Sequence, residues 1–168
     1  MATLEITFKD WTRLPIGSID FTPQRSIYDI TREFVRSINP EITTTFTRND
    51  FCAFISQKRI NLTFNKDCFD DMFDDFIQKH FGVSINPFLM GMLHEIGHIM
   101  TYNPQLAYER IIIYELLKID FKFERFHDFT NMYFAIPSEF EATRWGVEYY
   151  LSHKERCDNF LKEIGYEA

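Results

Sequence analysis

Long apolar runs are missing from this sequence. No stretch approaches the roughly 20 apolar residues that span a bilayer. The first eight residues lack a basic segment followed by an apolar one, so neither a membrane anchor nor a secretory leader is expected. Cysteine is scarce: Cys52, Cys68 and Cys157 lie far apart, are odd in number and form no CxxC pair. That pattern excludes a disulfide frame and a thiolate zinc site, and it points to a reducing compartment. The expected location is cytoplasmic, in a bacterium or in a virus-infected host cell. Basic charge is short as well. Eighteen Lys and Arg stand against 25 Asp and Glu, a formal net charge of −7. A broad nucleic-acid-binding surface is therefore excluded. No repeat, low-complexity tract or linker divides the 168 residues. They read as one domain, 1–168, long enough for a real core.

What the chain does have is phenylalanine. Nineteen Phe bring the aromatic content to 17%, which predicts a bulky core and offers apolar walls for a cleft. Asp67, Asp70, Asp71, Asp74 and Asp75 cluster and read as the solvated face of one helix.

Residues 4–8 alternate in polarity and read as a short strand. Pro15, Gly17 and Pro23 mark a loop. Ser26 can cap a helix to Ile38 whose buried stripe is Ile27, Ile30, Phe34, Val35 and Ile38. Residues 43–47 are β-branched and extended. Residues 51–55 and 60–64 read as a hairpin joined by the polar turn Ser56–Arg59. Asn65 or Asp67 opens the acidic helix, which reaches His80 and stops at Gly82. A helix from Asn86 or Pro87 runs to about Tyr102. After Asn103-Pro104 another covers 105–118, marked by Leu106, Ile111, Ile112, Ile113, Leu116 and Leu117. Residues 119–136 form either a helix or a long loop bordering a cleft. Pro137-Ser138 opens a helix through Tyr150, and a last helix covers 153–164. The fold class expected is α+β: compact, mostly helical, with a small N-terminal β-sheet or hairpin.

The chemistry concentrates in His94-Glu95-Ile96-Gly97-His98. Residues four apart return to one face of a helix, so both imidazoles can reach one metal ion. Glu95 points to a neighbouring face, where a general base for a metal-activated water is needed. A catalytic zinc takes three protein ligands as a rule. The third must come from elsewhere, and the helix after Pro137 offers Glu139 and Glu141. These lie roughly 200° apart around a helix, so only one faces the metal. Glu139 shares its face with Ala142, Thr143 and Gly146, small residues that admit another helix closely, and Gly97 leaves matching room. Glu139 is therefore preferred, with Glu141, on the bulkier side of Trp145 and Glu148, as the alternative.

His-Glu-Ile-Gly-His followed by Glu-Phe-Glu-Ala-Thr-Arg-Trp-Gly resembles the gluzincin metallopeptidases. It is most similar to the compact ImmA/IrrE-type family, with its His-Glu-x-Gly-His helix and later Glu-x-x-Ala helix. The alignable part is these two helices, about a sixth of the chain. The resemblance implies a zincin-like fold, zinc held by His94, His98 and Glu139, and Glu95 as general base. Thr143 departs from the pattern: related gluzincins often carry an acidic or amide residue there to support a zinc-bound histidine. Its presence implies that this support is weaker or comes from elsewhere. Forty residues separate His98 from Glu139, more than is common in the compact family, so 105–136 can form its own substrate wall.

The function expected is that of a zinc-dependent metallopeptidase. Its partner would be a protein or peptide substrate, in keeping with the family's association with cleaving or inactivating repressors. The donor for the oxyanion is open among Tyr102, Tyr133, His127 and Tyr149. Two alternatives stand beside it. One is a non-catalytic zincin-fold protein that binds a regulatory protein partner, its metal structural or vestigial. The other is a metal-free helical interaction protein.

Overall fold

The computed structural model describes residues 25–66, 71–120 and 132–166. The strand expected at 4–8, the loop at 15–23, Cys68 and His127 lie outside them. Helix α1 is Ile27–Ile38, and Ser26 caps it by accepting a hydrogen bond from the Asp29 amide. Burial follows the predicted stripe at Ile30, Phe34 and Val35. Ile27, however, is exposed and Thr31 is buried in its place, because the Thr31 hydroxyl satisfies itself on the Ile27 carbonyl.

Strands β1 (Thr43–Phe46), β2 (Cys52–Phe54) and β3 (Arg59–Leu62) form one sheet in the order β1-β3-β2. β2 and β3 are the expected antiparallel hairpin. The turn between them is a single 3-10 turn, Ile55–Gln57, closed by Lys58 in the left-handed region. β1 pairs with β3 in parallel, a non-local pairing that the hairpin pattern did not disclose. β3 is thereby the central strand, with β1 and β2 at the edges.

Helix α2 is Asp71–Phe81 and stops at Gly82, whose φ of +68° suits glycine. Phe73, Phe76 and Ile77 face inward while Asp75 is exposed, as expected of a residue on a solvated face. Helix α3 is Pro87–Met100, capped by Asn86. Its residues are buried on almost every side, as befits a helix enclosed by other elements. Helix α4 is Pro104–Asp120, α5 is Pro137–Ser152 and α6 is Lys154–Glu163. On α4, Ile111 and Ile112 are exposed, which departs from the expected apolar stripe. Arg110, on the same turn, is half-exposed but reaches the buried Glu139 of α5.

The sheet packs on α1 and α3, and α3 lies along α5 in the most extensive helix pair. The core joins Val35, Ile42, Ile60 and Leu62 to Phe88, Leu89 and Leu93. Phe34 stacks on Phe160 of α6 with ring centroids 4.1 Å apart. The molecule is thus a mixed α+β structure, mostly helical, built around α3. No helix among the described residues is long and apolar enough to cross a membrane.

Candidate metal centre

The α3–α5 contact is close because its residues are small. A Cβ on Gly97 would overlap the Ala142 carbonyl oxygen and lie 2.9 Å from its carbonyl carbon. A Cβ on Gly146 would come within 2.9 Å of the Met90 Cε. This approach carries Glu139 of α5 directly over the two histidines of α3. Glu139 Oε2 lies 3.2 Å from His94 Nε2 and 3.1 Å from His98 Nε2. The two Nε2 atoms are themselves 3.1 Å apart. Three donors bound tetrahedrally to one zinc at about 2.0–2.1 Å stand roughly 3.3 Å from one another, so the spacing is that of a closed set of ligands.

Protonation is fixed from outside the triangle. The Thr143 hydroxyl donates to the Glu139 carbonyl at 2.8 Å. Its oxygen is then the acceptor for His94 Nδ1, 3.0 Å away. His94 therefore carries its proton on Nδ1 and turns the Nε2 lone pair toward Glu139 and His98. The sequence expectation is that, with Thr143 here, the support of the histidine is weaker or comes from elsewhere; the contact to His94 is made by Thr143 itself. The hydroxyl provides the support itself, because its own proton is tied to the helix backbone.

Glu139 is fully buried, and its two oxygens differ. Oε1 accepts from Arg110 Nη1 of α4 at 2.9 Å. Oε2 has no donor aligned for a hydrogen bond, although both imidazole Nε2 atoms lie within 3.2 Å of it. A buried carboxylate oxygen facing two imidazole nitrogens is the donor arrangement that suits a cation. Burial alone would raise the Glu139 pKa, but His94 and His98 outweigh it and hold the carboxyl well below its usual range. The group His94, His98 and Glu139 could hold a metal ion.

Glu95 is 8% exposed and lies beside the triangle rather than in it. Desolvation raises its pKa, opposed by the charges of His94, His98 and Arg110. Phe73 meets His94 edge-on at 5.3 Å and stacks on Phe134 at 4.2 Å. These rings form an apolar wall that lowers the local dielectric.

Of the other candidates, Glu141 pairs with Arg144 at the surface and does not join the histidines. Tyr133 lies at the site: burial and the Glu139 charge raise its pKa, and its hydroxyl reaches that carboxylate. Tyr102 lines a cavity of about 230 Å³ beside His98, together with Ala53, Leu106, Arg110 and Ser138. Tyr149 stacks on Trp145 and His153, away from the site. Arg110 was not foreseen. Its sequence signal is a charge at the position shared by Leu106 and Ile113 on one helix face.

The chain matches no family model, no curated protein and no solved structure.

Proposed function

We propose that the protein is a zinc-dependent metallopeptidase of zincin-like fold, related in its two site helices to the gluzincins of ImmA/IrrE type. The single observation that carries this reading is the orphaned Glu139 Oε2 converging on His94 and His98 Nε2, with Glu95 buried beside them. A structural metal needs only ligands; a carboxylate placed next to them, in apolar surroundings that raise its pKa, has the properties of a general base. Zinc at this position would supply Lewis acidity toward water and a substrate carbonyl.

The residues then divide the work. Glu95 takes the proton of the attacking water and hands it to the leaving amine. Thr143 keeps His94 in the ligating tautomer. Tyr133, at the Glu139 carboxylate, and Tyr102, at the adjoining cavity, are the hydroxyls within the site that could meet the developing oxyanion. The cavity between β2, α3 and α4 would take a side chain of the peptide, with α4, part of the 105–136 region, along its border.

The alternative is a non-catalytic protein that binds a regulatory protein partner around a structural metal. It draws on the exposed apolar Tyr108, Ile111 and Ile112 of α4. The variant Glu95→Gln separates the two. On the peptidase reading it retains metal and loses hydrolysis of an unstructured protein substrate by at least about 100-fold. Full activity in that variant would exclude Glu95 as the base.

A further inference from the structure

We infer that Arg110 is a positioning residue that makes Glu139 a one-oxygen ligand; the inference rests on the metal-site reading above. A carboxylate offers two equivalent oxygens, and one free to turn can chelate a metal through both. Here a charged neighbour on a separate helix makes the two inequivalent, with the Tyr133 hydroxyl also at the carboxylate. Arg110 Nη1 holds Oε1 at 2.9 Å, and only Oε2 is left facing His94 and His98. The guanidinium is well suited to this, since its planar donors fix a carboxylate in direction as well as in charge.

The consequence is an open position. Two histidines and one carboxylate oxygen make three protein donors, the number that leaves room for water on a catalytic zinc. A chelating Glu139 would supply a fourth donor and compete with that water. Arg110 also stands where α4 borders the cavity beside His98, together with Tyr102, Leu106 and Ser138. Its charge acts on Glu95 and His98 as well as on Glu139. It is 44% exposed, so the contact can be removed with little loss of core. Arg110 therefore couples the lie of α4 to the way Glu139 presents its oxygens.

The test uses cobalt(II) as the probe, because its visible absorption is strong in four-coordinate sites and several-fold weaker when the coordination number rises. Cobalt-loaded wild-type protein is expected to show the strong four-coordinate band. Arg110→Met is expected to lose most of that intensity as Glu139 turns to chelate. Arg110→Ala, which likewise leaves no donor for Oε1, carries the same expectation if the methionine variant does not fold. An unchanged band in the folded variant, at whatever affinity, overturns the inference while leaving the metal site standing. Wild-type protein that takes up no cobalt overturns the metal-site reading, and this inference with it.

Discussion

Replacing Thr143 by valine removes one oxygen from a fully buried position and keeps the shape. The hydroxyl has two partners: it donates to the Glu139 carbonyl at 2.8 Å and accepts from His94 Nδ1 at 3.0 Å. Its loss strands the Nδ1 proton in an apolar pocket. An orphaned donor costs about 1–3 kcal/mol. Metal-free protein can escape part of that cost, because the His94 proton can move to Nε2 and be offered to Glu139 Oε2, 3.2 Å away. Metal-bound protein cannot, because ligation needs that lone pair. The penalty therefore falls on binding more than on folding. Outer-shell partners of ligating histidines are worth about 10–100-fold in affinity, or about 1.4–2.7 kcal/mol. Competition against a chromophoric zinc chelator should show Thr143→Val weakened by that factor, Thr143→Ser near wild type, and both variants folded by thermal melting. A valine variant that binds zinc as tightly as wild type would refute the assigned tautomer and the role given to Thr143.

Two further outcomes follow from the same geometry. Gly97→Ala should destabilise the metal-free protein by about 1–3 kcal/mol in urea unfolding, because the new methyl meets the Ala142 carbonyl. Helix propensity alone would favour alanine by about 1 kcal/mol, so a net gain in stability would contradict the close α3–α5 approach. For Glu95, a pKa raised by burial means that the folded protein holds this proton more tightly than the unfolded chain. Its stabilising effect is complete below the unfolded value of 4.5 and is lost as pH rises through the folded one. Metal-free Glu95→Gln should therefore melt higher than wild type at pH 8 and alongside it at pH 4. Equal melting at both would show the carboxylate to be well solvated.

The His-Glu-x-x-His helix and the helix of Glu139 were legible because helical periodicity is local, and small residues at one face announce a close neighbour. The preference for Glu139 over Glu141 came from that face and was matched by the family resemblance, and the close Gly97–Ala142 approach is what brings Glu139 to the histidines. Arg110 was not legible, because its partner lies 29 residues away and only tertiary packing joins them. The part played by Thr143 was not legible for a related reason. A hydroxyl can support a histidine when its own proton is occupied, and that depends on a backbone contact no residue type reveals. The parallel pairing of β1 with β3 and the exposure of Ile27, Ile111 and Ile112 are also tertiary outcomes. An apolar period marks which side chains could be buried, while the neighbours decide which are.

The claim on which the rest depends is that His94, His98 and Glu139 hold one metal ion. Elemental analysis of purified protein after zinc loading and removal of free metal tests it directly. One zinc per chain in the wild type, and none in folded His98→Ala, is the result predicted. Wild-type protein without bound zinc, or a His98→Ala protein that still holds one per chain, would contradict it.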